Sequence, residues 1–218
     1  MDNNIFLSHV NVRDMSEGGA FAHNLFTGII VAQPERSRAT PFHPPHSTTV
    51  AGLTNIQGGD DRFYNNVFVG DGTTGAESVK ATPQHSPRGA GYGLWVYDKR
   101  ETPLQTGGNV LYHGAAAYVN ETNQLALAGQ NPSVKLEQQG GLFLLQFNFG
   151  AGLQRAGTVL VTTALLGKAK IPDVGYENAD GSPLVIGKDY FGQPRHTEKP
   201  SPGPFETPGV GDLKIKVW

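Results

Sequence analysis

The sequence predicts an all-β fold: short parallel strands piled up as the coils of a β-helix, followed by antiparallel strands packed on them. Three observations predict it. Gly (29) and Pro (15) supply about one residue in five of 218, and they are the two worst helix formers. An Asn-led segment recurs through the first half. The second half alternates apolar and polar residues with the period of a strand. Apolar residues at 38% and a net charge of −2 argue against a disordered chain.

The recurring segments are Asn3-Asn4-Ile5-Phe6-Leu7, His23-Asn24-Leu25-Phe26-Thr27-Gly28, Asn65-Asn66-Val67-Phe68-Val69-Gly70 and Gly108-Asn109-Val110-Leu111-Tyr112. Their shared Asn residues, 4, 24, 66 and 109, are spaced by 20, 42 and 43. Periods of 20 or more mark stacked repeats. The longer spacings read as one coil with an inserted loop, because residues 33–49 and 70–91 have the Pro and Gly content of loops. Asn suits a coil corner, since it tolerates the left-handed region and bonds its own backbone. Stacked equivalents would form an amide ladder, with the following aliphatic-Phe pair starting a strand against a narrow core. This predicts coils over 1–112 carrying two long insertions.

Residues 113–218 read as antiparallel β structure. Val134-Lys135-Leu136 and Leu142 to Phe149 flank Gln138-Gln139-Gly140-Gly141, a hairpin signal. Thr158 to Thr163 reads as a β-branched strand. Leu213, Ile215 and Val217 alternate with Lys214, Lys216 and Trp218 in a last one. Residues 171–212, rich in Pro and Gly, are expected to wrap the surface.

Several function classes are excluded. With no Cys there is no disulfide, thiolate metal site or Cys nucleophile. No run approaches 18 apolar residues, so no membrane partner is expected. Lys and Arg (17) balance Asp and Glu (19) without a basic block, which speaks against nucleic acid. The start, Met1-Asp2-Asn3-Asn4, lacks the pattern of a signal peptide, which leans towards the cytoplasm without fixing the compartment. There is no nucleophile elbow, phosphate-binding loop or dinucleotide fingerprint, so no cofactor is expected. His43-Pro44-Pro45-His46 offers two imidazoles, but the prolines exclude a helix and no third ligand is evident, so no metal is expected.

Three places hold polar groups suited to a ligand. Glu17 precedes Gly18-Gly19, where a ligand could approach closely; equally, it reads as a solvated turn residue. Asp60, Asp61 and Arg62 follow Gly58-Gly59; they could accept from and donate to sugar hydroxyls, or pair with one another at a corner. His46 on a loop could overhang a sugar site, or lie free on the surface. Glu17 and Asp60 both precede an Asn-aliphatic-Phe strand and should share one edge of the stack.

Longer motifs carry a family likeness. Asp2 to Ser8, Gly18 to Leu25, His46-Ser47-Thr48 and Gly58 to Asn66 resemble the later coils of β-xylosidases of glycoside hydrolase family 120. So do Tyr176-Glu177-Asn178 with Asp180-Gly181-Ser182, Asp189-Tyr190-Phe191-Gly192 and Pro202-Gly203-Pro204-Phe205. The resemblance implies a right-handed parallel β-helix enzyme that hydrolyses xylosides with retention, using an Asp nucleophile and a Glu acid/base. It places both on coils before Met1, so no catalytic residue is expected in this chain, which would be the inactive C-terminal part of such an enzyme. Glu17, Asp60 and Asp61 are then the expected substrate contacts, with His23, His46 and Arg62 behind them. The partner implied is a xylose-containing glycoside. A non-catalytic carbohydrate-binding or assembly module is the alternative. A hydrolase pairing Glu17 with Asp60 or Asp61 is a third reading. An open first coil would also favour self-association or a partner chain at that end.

Overall fold

The computed structural model describes residues 1–73 and 89–218. They are mostly β, with few helices. Three parallel strand stacks run through the first part. The largest joins β1 (Ile5–Phe6), β4 (Leu25–Phe26), β9 (Val67–Val69), β12 (Val110–Tyr112) and β13 (Leu125–Leu127) in that order. A second joins β3 (Ala20–Ala22), β8 (Arg62–Tyr64) and β11 (Gln105–Gly107). In the third, β2 (Val10–Asp14) pairs with β5 (Ile29–Ala32) in parallel, and β10 (Ala90–Gly91) adds antiparallel.

The Asn residues form the expected ladder. Asn4 donates its backbone N–H and its Nδ2 to Asn24 Oδ1, at 2.9 and 3.0 Å. Asn24 repeats this with Asn66, and Asn66 with Asn109. Since β4 lies directly beside β9, the 42 residues from Asn24 to Asn66 lead from one strand of the stack to its immediate neighbour. The bend itself belongs to the residue before each ladder Asn. Asn3, His23, Asn65 and Gly108 have φ of 56, 56, 57 and 66°, the left-handed region that Asn and Gly tolerate best. This explains the Asn-Asn doublets: the first turns the corner and the second makes the rung. Inside the stack Phe6, Phe26 and Phe68 lie in a column with 5.0 Å between neighbouring rings, and Phe21 stacks on Phe63 at 4.6 Å.

Three sequence expectations change. Residues 33–49 are not simply loop, because β6 (Glu35–Phe42) pairs antiparallel with β7 (Gly52–Ile56) as an inserted hairpin. Of the loop expected at 70–91, residues 74–88 lie outside the described residues. Parallel pairing continues past 112, since β13 adds one more strand to the stack.

The hairpin β14 (Lys135–Gln139) to β15 (Leu142–Phe147) forms as expected, turning on Gly140 and Gly141 at φ 55 and 83°. β18 (Leu213–Lys216) pairs with β15, and this sheet covers the outer face of the main stack. Leu25, Val67 and Val110 meet Leu145, Phe147, Phe149 and Phe205 there. The expected strand at 158–163 does not form. Thr158 donates to Pro200 O, and Thr162 caps a one-turn helix, α1 (Thr163–Leu166), by accepting from Leu165 N–H. Local side-chain bonds outcompete β-propensity here. A two-stranded ribbon follows, β16 (Lys168–Ala169) with β17 (Val174–Gly175).

Candidate functional site

The residues after β17 form one wall of a cleft of about 400 Å³, within the usual size range of small-ligand sites. Ala20 and Ala22 of β3, with Leu166, Leu184 and Ile186, give it an apolar lining. Asp2, His46, Glu177 and Asn178 supply polar groups. Position is enforced from behind. Tyr176 donates its hydroxyl to Gly18 O at 2.7 Å, and its carbonyl accepts from Thr163 Oγ1. Asn178 and Ser182 close a turn by backbone bonding, and Asp180 accepts from the backbone and hydroxyl of Ser182. Those bonds hold the exposed Asp180 carboxyl below its ordinary pKa. His46 Nε2 lies 2.8 Å from Glu177 Oε1 at the rim, where both side chains remain partly exposed.

The other expected contacts are committed elsewhere. Arg62 is fully buried: Nε donates to Leu166 O, Nη2 to Lys168 O, Nη1 lies 2.9 Å from Asp60 Oδ1, and its guanidinium stacks over the Tyr176 ring. It braces the cleft wall from within and presents nothing to a ligand. Asp60 is buried too, with Oδ2 accepting from Lys170 N–H at 2.7 Å. Asp61 is buried with Oδ1 accepting from Gly19 N–H at 2.7 Å, an approach possible only because Gly19 has no Cβ. Burial first, and then the charge of Asp14, push its carboxyl up to about 9, so it is protonated at neutral pH. His23 is wholly buried: its Nδ1 faces Ser201 O and its Nε2 accepts from Asn65 Nδ2. Burial lowers its pKa to about 3, and the ring is neutral.

Glu17 is half-buried and accepts from Gln57 N–H, and desolvation raises its pKa. It does lie beside the Asp60 segment, as the spacing implied, since Glu17 pairs with Gly59 in an isolated parallel bridge. Of the six expected residues, His46 alone lines the cleft. Glu177, Asn178 and Asp2 also line the cleft and were not among the six, although Tyr176-Glu177-Asn178 stood in the sequence as a recognisable motif. The buried Asp14, which accepts from Tyr97 at 2.7 Å, gave no sequence signal. A larger cleft of about 630 Å³ near Trp95, Lys99 and Arg100 holds none of the six. Among the described residues, no group of three His, Asp or Glu is placed to hold a metal ion, and no helix is long and apolar enough to cross a membrane.

The chain is similar to XylC. A solved structure described as the complex of XylC with xylose matches it with a TM-score of 0.82 at 29% identity, over 100% of this chain and 35% of that chain. The chain thus spans about a third of the length of that protein. No protein-family model and no curated protein matches it.

Proposed function

We propose that this chain is the C-terminal part of a xylosidase-like glycoside hydrolase of right-handed parallel β-helix fold, and that its 400 Å³ cleft takes a xylose unit of a xyloside or xylo-oligosaccharide. The observation that carries this reading is likeness over the full chain to a protein solved with xylose. The chemistry of the cleft supports it. A sugar has apolar C–H faces and a girdle of hydroxyls. The Ala, Leu and Ile lining suits the first, and the Glu177 and Asp2 carboxylates with the His46 imidazole suit the second. In this reading the O-glycosidic bond is hydrolysed with retention, and the Asp nucleophile and Glu acid/base stand on coils outside these 218 residues. This chain contributes a wall of the site.

A non-catalytic carbohydrate-binding module is the second reading, favoured by the burial of Asp60, Asp61 and Arg62 in internal bonds. The same burial disfavours a self-contained Glu17–Asp60 or Glu17–Asp61 pair. Titration with xylose and xylobiose, followed by amide shifts of Gly175 to Asn178, tests the cleft. Saturable binding is expected, weakened roughly tenfold by Glu177→Gln, as for one lost charge-assisted hydrogen bond. Absence of binding would overturn both readings. A chromogenic xyloside should not be turned over by this chain alone; turnover lost in Glu17→Gln would favour the self-contained pair. Hydrolysis restored by supplying the preceding coils would separate the enzyme part from the binding module.

A further inference from the structure

Strand β10 turns Ala90 into the core, so its neighbours Gly89 and Gly91 share the opposite face. Two side chains lie close in the space those glycines leave. A Cβ on Gly91 would stand 2.4 Å from the Trp95 indole, and one on Gly89 would stand 2.7 Å from Arg100 Nη2. Both side chains belong to one short segment, fixed from inside. In the 3-10 helix Trp95–Tyr97, the buried Tyr97 donates its hydroxyl to Asp14 Oδ2 at 2.7 Å, and just before it Leu94 N–H donates to Ala116 O at 2.7 Å. Asp98, Lys99 and Arg100 follow, and Arg100 N–H closes the turn on Tyr97 O at 2.9 Å.

This segment and Pro34 line the cleft of about 630 Å³, a volume suited to a small organic ligand. The charge of its lining is unbalanced. Arg100 donates Nη2 to Ala32 O, yet neither Arg100 nor Lys99 lies within ion-pair distance of a carboxylate among the described residues. The adjacent Glu101 is taken by Arg36. Arg100 Nε and Trp95 Nε1 are buried without a hydrogen-bond partner among the described residues, a condition rare for buried donors. Asp98 Oδ1 accepts from Val119 N–H at 2.9 Å, and its second oxygen can accept from a hydroxyl. Two cations and one carboxylate leave the lining one positive charge in excess. The half-buried indole of Trp95, resting on Gly91, adds an apolar plate.

We propose that this cleft binds a hexuronate, a sugar ring carrying one carboxylate. The Arg100 guanidinium, a planar fork matched to two carboxylate oxygens, takes the anion with the Lys99 ammonium beside it. Trp95 presents its ring to the C–H face of the sugar, and Asp98 accepts from the ring hydroxyls. A monoanion balances the single excess charge. A phosphate dianion would set its second charge against Asp98. The assignment stands whether or not the 400 Å³ cleft takes xylose, since the two clefts share no lining residue.

The test protein is the full chain carrying Trp218→Phe. Trp218 is exposed, and of the two Trp residues its removal leaves Trp95 alone to report. Indole fluorescence is followed during titration with glucuronate, glucose, acetate and glucose 6-phosphate. Glucuronate is expected to bind saturably and roughly tenfold tighter than glucose, which lacks the carboxylate, the size of one charge-assisted hydrogen bond. Acetate, which lacks the ring, should be weaker by a similar factor. Lys99→Gln should weaken glucuronate about threefold, as for an exposed ion pair, and leave glucose unchanged. Arg100→Gln, with its fold checked by circular dichroism, should bring glucuronate to the level of glucose. Glu177→Gln should leave glucuronate binding unchanged, which separates this cleft from the proposed xylose site. No saturable binding of glucuronate, or binding no tighter than that of glucose, would overturn the proposal whatever the variants do. Acetate binding as tightly as glucuronate, or glucose 6-phosphate binding more tightly, would overturn the choice of a sugar monoanion.

Discussion

Between Asn4 and Asn109 one contact is repeated three times, each rung a copy of the last, and the Phe column repeats beside it. Between Lys168 and Glu206 nothing repeats. There the chain is pinned by two buried arginines of different design. Arg62 reaches out of the stack to Leu166 and Lys168. Arg195 reaches into it, donating to Asn3 Oδ1 at 2.6 Å, to Ser201 O and Gly203 O, and to Glu206 Oε2 at 3.0 Å. Glu206 is almost wholly buried, and its backbone N–H is held by Asp189 Oδ2. A repeated contact spreads stability over many similar rungs, as expected of stacked folds. A pin concentrates it, and its failure leaves a charge buried without a partner.

The largest effect should come from breaking a pin. Arg195→Met strands Glu206 and is expected to cost about 3–5 kcal/mol in urea unfolding, with much of the loss recovered in Arg195→Met/Glu206→Leu. An interior rung comes next. Asn66→Leu removes the acceptor of the buried Asn24 N–H and Nδ2 and the Nδ2 donor to Phe21 O and Asn109 Oδ1, for a loss of about 3 kcal/mol, whereas Asn4→Leu at the first rung should cost about 1 kcal/mol. Equal losses at the two positions would show that the rungs are not independent.

The last rung, where Asn109 Nδ2 donates to the buried Glu121 Oε1 at 2.8 Å, is expected to respond to pH. Burial raises Glu121 from 4.5 to about 7, and burial likewise raises Asp61 from 3.8 to about 9. A folded-state pKa above the unfolded one means the folded state holds its proton harder. Both contributions are complete below the unfolded values and are lost as pH rises through the folded ones. Glu121→Gln keeps the acceptor and removes the titration. It should therefore be more stable than the parent at pH 8, by about 2–3 kcal/mol, and no more stable at pH 4. His23 works in the other direction: lowered from 6.5 to about 3, it costs stability as pH falls across that window. Thermal unfolding from pH 3 to 9 should show both limbs, and a flat alkaline limb would refute the Glu121 and Asp61 assignments. The smallest effect is expected at the exposed Lys168–Asp173 pair, where Lys168→Ala should shift stability by less than about 0.5 kcal/mol.

The stack was legible in the sequence because its neighbours are encoded by recurrence. Asn4, Asn24, Asn66 and Asn109 meet one another since each directly precedes its own strand of the same parallel stack. The hairpin at Gly140-Gly141 was legible for a local reason, the left-handed backbone its turn requires. The candidate site was far less so. Asp60, Asp61, Arg62 and His23 have the chemistry of ligand contacts, yet each is spent on a partner 42 or more residues away or on a buried carbonyl. Glu177 faces the cleft because Thr163, Gly18 and the Asp180 turn hold its neighbours, and no spacing rule links those positions.

By itself, then, the sequence determined the rung-by-rung register, the identity of the corner residues and the β character of the chain, all of which follow from short-range or periodic constraints. Only the tertiary structure decided which carboxylates are buried, which histidine faces solvent, and where the wrapping segment closes a cleft against the stack. A side chain's charge and exposure depend on what is folded over it, and here the covering residues lie up to 192 positions further along the chain.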